Sequence, residues 1–337
     1  MSNMENRRII LNARPVGVPG AEFFRIDTAP VDDLSAGQFL IKNMYLSVDP
    51  AMRGWANDAP NYSPPVPVGD VMRAFAVGEI IASENPDYAV GELVAGVFGW
   101  QRFAISDGSN IMRRVARDDL SPTLALGVLG LNGITAYFGL LDVCNPQSGE
   151  TVIVSTSAGA VGSCVGQIAK IQGCKAVGIT GGPEKVALCL SKFGYDEAID
   201  YKNASDINAE ISAACPDGVN CYFDNTCGPI SDAVFEHLVL GARITVCGTA
   251  SLQEWEPIPQ GPRVHRQLMI NRARMTGFLV LDYNARYMEA VDQLAIWVRS
   301  GQISSREHIL DGMDHAPGAL EMLYRGENTG KLLIKVD

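Results

Sequence analysis

The segment that most constrains the fold is VIVSTSAGAVGSCVGQIAK, residues 152–170. It places an apolar strand, a turn of small residues and a helix in succession, which is how a βαβ nucleotide-binding unit begins. Ser157 stands at the first glycine position of the dinucleotide fingerprint, and Gly159 and Gly162 stand at the second and third. Tight packing alone also explains such glycines, but the strand before them and the helix after them favour a dinucleotide site.

Each part of this turn has an expected role in holding a pyrophosphate. Gly159 would let the backbone approach the phosphates, and Gly162 would let the helix pack closely against the strand. The N–H groups of Gly159, Ala160 and Val161 would point toward the anion, with the positive end of the helix dipole behind them.

The end of the second strand indicates which dinucleotide binds. An enzyme that uses NAD usually carries a carboxylate about 20 residues after the glycines, where it binds the ribose hydroxyls. Here the sequence is VGITGGPEK, with Thr180 and two glycines in place of the acid and Lys185 at the start of the next helix. Lys185 is near enough to meet a 2′-phosphate, although a solvated surface lysine is the alternative. The pattern favours NADP(H) over NAD(H).

The rest of the chain divides into two kinds of pattern. Residues 1–127 are predicted to form short β segments broken by turn residues, with almost no helical periodicity. Residues 128–300 alternate apolar strands and helices, which is typical of a doubly wound parallel sheet. The last segment, GKLLIKVD, is a β segment beyond the Rossmann pattern, so residues 301–337 are expected to return to the first domain. The predicted fold class is α/β, with a β-rich domain joined to a Rossmann domain.

Charge and composition exclude several classes of protein. The formal charge of −11, with lysines and arginines scattered along the chain, argues against a nucleic-acid partner. No segment approaches the ~20 apolar residues of a membrane span, and the N-terminal segment lacks the apolar run of a signal peptide, so a cytoplasmic protein is expected. The eight cysteines all lie at or beyond Cys144, several within apolar runs, as reduced and buried cysteines do.

Several other catalytic classes lack their characteristic residues. The first 143 residues contain no cysteine and no histidine, so the zinc site of a classical alcohol dehydrogenase is not expected. The four histidines have no metal-like spacing. No tyrosine has a lysine four residues later, as a short-chain dehydrogenase needs, and no Gly-x-Ser-x-Gly hydrolase elbow is present. We therefore expect no metal.

Motifs that point to one family run almost from end to end. They are YLSVDPAMRGW (45–55), YSPPVPVGDVMRA (62–74), GITAYFGLLDV (133–143), SAGAVGSCVGQIAK (157–170), GGPEK (181–185), AIDYK (198–202), FDNTCG (223–228), NRARMTGF (271–278) and GKLLIKV (330–336). With these motifs the chain resembles the zinc-independent branch of the medium-chain dehydrogenases/reductases, which contains prostaglandin and leukotriene reductases and plant alkenal double-bond reductases. It resembles the bacterial curcumin-reductase-like, NADP-dependent members most.

The resemblance implies a GroES-like β-rich catalytic domain beside the Rossmann domain, with NADP(H) as cofactor. It implies that the turn from Gly159 to Gly162 holds the pyrophosphate, and that Lys185 and Tyr201 address the 2′-phosphate. The other implied cofactor contacts are Asn225 at the ribose or pyrophosphate, Cys247 facing the nicotinamide, backbone groups of Phe278, Leu279 and Val280 at the carboxamide, and Asn328 across the domain cleft.

The resemblance also implies an activity, in which NADPH delivers a hydride to the β-carbon of an α,β-unsaturated carbonyl compound and the resulting enolate takes a proton. Family members commonly carry a tyrosine where this chain has Gln253, so the proton donor is open. Tyr62 is the main candidate and Gln253 a weaker one, although an aromatic residue in the proline-rich loop around Tyr62 could equally anchor packing. Tyr45 and Trp55 are expected to form pocket walls.

Two other functions remain open at this point. The same scaffold could support a carbonyl or quinone reductase, since a fold does not determine a substrate. The missing tyrosine also leaves room for a non-catalytic, crystallin-like NADPH-binding protein. By analogy with the family, we expect a homodimer joined through the Rossmann domains.

Overall fold

The computed structural model describes residues 4–58, 61–117, 120–252, 257 and 259–337. The chain forms two compact domains. The β-rich domain comprises the residues up to Leu126 together with Glu307–Asp337, and the Rossmann domain is Gly127–Arg306. Within the described ranges, no helix is both long and apolar enough to cross a membrane.

The secondary structure is numbered along the chain. The strands are β1 (Glu5–Leu11), β2 (Phe24–Pro30), β3 (Phe39–Ser47), β4 (Phe75–Ser83), β5 (Leu93–Val97), β6 (Phe103–Ser106), β7 (Ile111–Val115), β8 (Thr151–Ser155), β9 (Lys175–Thr180), β10 (Glu197–Asp200), β11 (Val219–Asp224), β12 (Leu238–Val246), β13 (Arg274–Gly277), β14 (Glu307–Asp311) and β15 (Lys331–Lys335). The α-helices are α1 (Ala51–Ala56), α2 (Leu131–Phe138), α3 (Ala160–Ile171), α4 (Pro183–Ser191), α5 (Ile207–Ala214), α6 (Gly228–Phe235), α7 (His265–Asn271), α8 (Tyr287–Arg299) and α9 (Ala316–Arg325). Short 3₁₀ segments cover Ala21–Phe23, Pro122–Leu126, Val280–Arg286 and Met313–His315.

The β-rich domain is built on a sheet of order β14-β15-β3-β4-β5-β7, with β6 also paired to β3. Strands β1 and β2 form a separate antiparallel pair. The C-terminal strand β15 pairs antiparallel with β3, with Leu333 opposite Ser47, so the last segment lies in the sheet of this domain. Its apolar core includes Phe39, Trp100 and, from the returning segment, Leu320.

The Rossmann domain contains a six-stranded sheet of order β10-β9-β8-β11-β12-β13, in which every pairing is parallel. Every residue of β8 is buried, as expected for a central strand with helices on both faces. Because β8 pairs with β9 on one side and with β11 on the other, the strand order reverses beside β8. Ligands bind outside the carboxyl ends of the strands at such a reversal, so we expect the cofactor site at this edge of the sheet.

The second domain boundary differs from the predicted one. Residues 301–306 were expected in the β-rich domain, but they belong to the Rossmann domain. The reason is that Ile303 is buried in that domain and Ser304 is hydrogen-bonded to helix α3. The Ser304 N–H donates to Oε1 of Gln167 at 2.8 Å, and Nε2 of Gln167 donates to the Ser304 carbonyl at 3.0 Å.

The apolar spacing of residues 124–143 and of residues 231–240 predicts one helix in each segment, but both helices are shorter. In the first segment, α2 starts after Gly130 and then continues into a π-helical segment, Gly139–Cys144. Before α2 the chain turns, with the Gly127 carbonyl accepting from Gly130, and Gly133 leaves room for the Val128 carbonyl, which a Cβ would overlap. The helix predicted over 231–240 ends at Phe235, because the His237 carbonyl accepts from the N–H of Val219 at 2.9 Å and starts β12.

Candidate active site

The turn after β8 is held by its own backbone. Thr156 adopts a left-handed conformation with φ 54°, and its carbonyl accepts from the Gly159 N–H at 2.9 Å. The Gly159 N–H therefore has a partner inside the turn, and its predicted contact with an anion stays a prediction. Helix α3 follows with no side-chain cap at its first turn, which leaves Ala160 and Val161 as the predicted N–H donors.

Gly162 lies where α3 crosses closest to the turn. A Cβ at this position would overlap the carbonyl oxygen of Thr156 and lie 2.8 Å from the Cα of Ser157. Gly159 is also tight, with a Cβ 2.9 Å from the Thr156 methyl carbon. These overlaps are with the turn itself, so glycine at both positions lets α3 pack closely against the end of β8; we call this closely packed turn the backbone cradle.

The turns after β9 and β10 meet at Gly181 and Gly182. Thr180 is buried at the end of β9, and Gly182 has φ 96°, a conformation that favours glycine. Lys185 lies in the first turn of α4, where burial and then the charge of Lys202 lower the pKa of its ammonium group. The half-exposed ring of Tyr201 reaches the same turn, 3.0 Å from a Cβ placed on Gly181.

The ends of β11, β12 and β13 bring three more predicted residues to the same edge. Asn225 donates from its backbone N–H to Oγ of Ser155 at 2.8 Å and from Nδ2 to the Ser155 carbonyl at 2.7 Å. The Cys247 N–H donates to the Asp224 carbonyl at 2.8 Å. Burial, and then the charge of Asp224, raises the pKa of the Cys247 thiol to about 12, so this group is neutral at physiological pH.

The segment Phe278–Val280 continues from β13, and part of its backbone is already engaged. The Phe278 N–H donates to the Val246 carbonyl at 3.0 Å. The Leu279 carbonyl accepts from the Asp282 N–H at 3.1 Å, and the Val280 carbonyl accepts from the Tyr287 hydroxyl at 3.2 Å. These three bonds leave the Phe278 carbonyl and the N–H groups of Leu279 and Val280 as the backbone groups that could contact a carboxamide.

The residues predicted on the substrate side lie in different environments of the β-rich domain. Trp55 is only 5% exposed, lies edge-on to Phe75 at 5.7 Å and is covered by the guanidinium of Arg73 at 5.5 Å. Tyr45 lies on β3 and is partly buried against a second apolar cluster that also contacts Phe75. Tyr62 is 53% exposed. Trp55 is thus mainly a core residue, whereas Tyr62 is about half exposed.

Two other predicted site residues remain. Asn328 is 6% exposed, and its Nδ2 donates to the Gly330 carbonyl at 2.7 Å just before β15. Gln253 lies outside the described residues.

Comparisons with known proteins agree with this geometry. A family model described as "N-terminal domain of oxidoreductase" matches residues 7–113, and one described as "Zinc-binding dehydrogenase" matches residues 160–295. The NADPH-dependent curcumin reductase of Escherichia coli is 40% identical, covering 98% of this chain and 97% of that protein. The NADP(+)-dependent 2-alkenal reductase of Nicotiana tabacum is 35% identical, covering 99% and 98%. The crystal structure of CurA in complex with NADPH from Vibrio vulnificus matches with a TM-score of 0.93 at 40% identity, covering 98% and 99%.

The chain belongs to the medium-chain dehydrogenase/reductase family. It is an NADP-dependent oxidoreductase, so the predicted family and the predicted cofactor are confirmed. The residues of the chain fit NADP(H), because a backbone cradle at Gly162 and a lysine at position 185 lie at the carboxyl edge of one sheet.

This reductase also contains a buried carboxylate that the sequence reasoning missed. Asp224 ends β11 with Oδ1 accepting from the Tyr222 hydroxyl and from the N–H groups of Thr226 and Cys227, each at 2.9 Å. Its Oδ2 accepts from Ser231 Oγ at 2.6 Å. An acidic residue that ends an otherwise apolar strand, VNCYFD, was the available signal.

Among the described residues of this reductase, no group of three or more histidine, cysteine, aspartate or glutamate side chains could hold a metal ion. One of the matching family descriptions names zinc. Independence of metal therefore stays a prediction for experiment.

Proposed function

We propose that this reductase saturates the C=C bond of α,β-unsaturated ketones and aldehydes, using NADPH. The observation that carries the proposal is the Cys247 thiol, which directly follows β12 at the sheet edge that carries the cofactor candidates. Burial, and then the charge of Asp224, raises its pKa to about 12, so it is a neutral hydrogen-bond donor. Conjugate reduction spreads the developing charge over an enolate, which neutral hydrogen-bond donors stabilise. The name of the tobacco relative, 2-alkenal reductase, supports the same substrate class.

Bound NADPH supplies the hydride. In our proposal Tyr62 donates a hydrogen bond to the carbonyl oxygen of the substrate and is the source of the proton. A glutamine amide donates hydrogen bonds but is far too weakly acidic to release a proton, so Gln253 serves only to orient the oxygen. Tyr45 contacts the substrate, and Trp55 supports the pocket from the core together with Arg73.

The cofactor contacts are also a proposal. Ala160 and Val161 donate to the pyrophosphate, Lys185 and Tyr201 address the 2′-phosphate, and Asn225 binds the neighbouring ribose or pyrophosphate. Near the nicotinamide and its carboxamide, the contacts are Cys247, Phe278, Leu279, Val280 and Asn328.

A substrate panel tests the proposed reaction. NADPH oxidation is measured with enones, quinones and simple ketones, and each product is examined for a saturated C=C bond. We expect turnover on enones with the carbonyl retained. Turnover confined to quinones or ketones would make the chain a quinone or carbonyl reductase, and NADPH binding without any oxidation would make it a non-catalytic binding protein.

We also propose a homodimer joined through the Rossmann domains. Strand β13 ends the six-stranded sheet in the described part of the chain and carries the exposed Met275, with the exposed Met269 and Leu281 in the neighbouring segments. A bare strand edge flanked by apolar side chains is a surface that association covers. Light scattering should give twice the chain mass of 36.2 kDa, and a mass of one chain at working concentration rejects the dimer.

For location, we propose the cytoplasm. The eight cysteines are all free, which suits a reducing compartment. Localisation of the tagged chain by cell fractionation tests this, and recovery in a secreted or membrane fraction would contradict it.

A further inference from the structure

A second lysine lies at the turn that faces the proposed 2′-phosphate position. Lys202 follows Tyr201 directly after β10, and its aliphatic stem packs across Gly181. A Cβ placed on Gly181 would lie 2.9 Å from Cε and 3.1 Å from Cδ of Lys202. The glycine thus leaves room for the stem, and the stem brings the ammonium group to the turn that leads into α4.

Asp200 connects the two turns that carry these residues. Its Oδ1 accepts from the Gly182 N–H at 2.8 Å and from the Lys202 N–H at 3.1 Å, and its Oδ2 accepts from Nδ2 of Asn203 at 2.7 Å. Burial opposes ionisation, but the hydrogen bonds from Gly182 and Asn203 hold the pKa of Asp200 below its usual value. Both carboxylate oxygens are engaged in the turns, so this acid positions the backbone of Lys202.

The charge of Lys202 acts on the ammonium group of Lys185. Burial lowers the pKa of Lys185 most, the charge of Lys202 lowers it next, and the neighbouring Glu184 opposes both. Like charges held together by packing are unfavourable unless an anion lies between or beside them. A dianion compensates two cations, whereas a ribose hydroxyl compensates neither.

We propose that Lys202 is a second cation for the 2′-phosphate of NADP(H) and sets the preference for this cofactor together with Lys185. The inference rests on the proposed role of Lys185 and adds a residue to it. Nothing in the glycine fingerprint indicates Lys202, because its position depends on the packing of β10 against β9 and on the hydrogen bonds of Asp200.

Equilibrium binding of NADPH and NADH to the full chain tests the inference without depending on turnover. K202M should weaken NADPH binding by about five- to tenfold, as expected for one charge-assisted contact at a partly exposed site, and should leave NADH binding unchanged. K202R should retain most of the NADPH affinity. K192M, at an exposed lysine just after α4, is the matched control and should behave like the native chain.

Salt dependence gives a second readout that a merely structural role would not change. The slope of log Kd against log salt for NADPH should be smaller in K202M than in the native chain, because fewer ions are exchanged with the phosphate. The double variant K185M/K202M should bind NADPH no more tightly than NADH.

The outcomes separate this inference from the proposed function. If the native chain prefers NADPH and K185M loses the preference while K202M keeps it with an unchanged salt slope, the role of Lys202 is wrong and that of Lys185 stands. If K202M weakens NADPH and NADH equally, Lys202 is structural and the inference is also wrong. If the native chain binds both cofactors equally, the 2′-phosphate site itself is wrong.

Discussion

The two domains position their candidate residues by different means. In the Rossmann domain, the cradle at Gly159 and Gly162 and the turn at Gly181 are made by the backbone at the ends of parallel strands. In the β-rich domain, the candidates Tyr45, Trp55 and Tyr62 are separate side chains on a strand, a short helix and a loop, with very different burial.

This difference predicts that the two domains tolerate substitutions differently. A backbone cradle leaves no room for other residues, so the same small residues must occupy it in any chain that folds this way. Side chains on a sheet surface or a loop can be exchanged while the fold remains. Cofactor binding should therefore be sensitive to the backbone of one domain, and substrate turnover to single side chains of the other.

The largest effect is expected from Tyr62→Phe. Loss of one oxyanion donor lowers the rate by about 10² to 10³, so turnover on an enone should fall by that much. NADPH affinity should stay within about twofold, because the residue belongs to the other domain. Near-native turnover in this variant, together with a strong rise in Gln253→Tyr, would show that Tyr62 is not the donor.

Gly162→Ala should disturb the backbone of the Rossmann domain. The added Cβ overlaps the Thr156 carbonyl, and overpacking of this kind destabilises a domain by about 1–3 kcal/mol. The free energy of unfolding from denaturant titration measures the loss, and NADPH binding should weaken with it. Gly318→Ala, where nothing lies within 4 Å, is the control, and an equal loss in both variants would contradict the cradle.

Lys185→Ala tests the cofactor preference of the Rossmann domain. Removing a charge-assisted contact to the 2′-phosphate should reduce NADPH binding by about 1.5–3 kcal/mol, roughly ten- to a hundredfold, with NADH binding unchanged. Titration calorimetry with both cofactors gives the ratio. An unchanged ratio would make Lys185 a surface lysine.

A smaller effect, in the opposite direction, is expected from Cys227→Gly. Cys227 has φ 58° and ψ −166°, a region that glycine adopts without strain and other residues do not. The variant should gain about 1 kcal/mol of unfolding free energy, even though the contact of Sγ with the Gly248 carbonyl at 3.3 Å is lost. A destabilised variant would mean that this contact outweighs the backbone strain.

The smallest effect is expected from a strong chelator. Because we expect no metal in the site, both NADPH affinity and the turnover of an enone should stay unchanged. Activity that falls on chelation and returns with added zinc would contradict the metal-free mechanism.

Features that follow from a short local pattern could be predicted from the sequence. The strand, turn and helix around Gly159, the replacement of the acid by Thr180 and the β character of the last segment all follow from local patterns or from a motif. Contacts between distant segments could not be predicted this way. The packing of Lys202 on Gly181 depends on which segments meet in space. The end of the Rossmann domain at Arg306 likewise depends on Ser304 bonding to Gln167, 137 residues away along the chain. The bond from the Gly159 N–H to Thr156 and the donors around Asp224 are local, but they depend on a left-handed turn and on side-chain directions that the motif does not specify.

The most direct test of the proposed reaction follows a deuterium label from NADPH carrying deuterium at C4 of the reduced nicotinamide. With an enone as substrate, we expect deuterium on the β-carbon of the product, with the carbonyl group retained. Deuterium on the carbonyl carbon, with the C=C bond intact, would contradict the account.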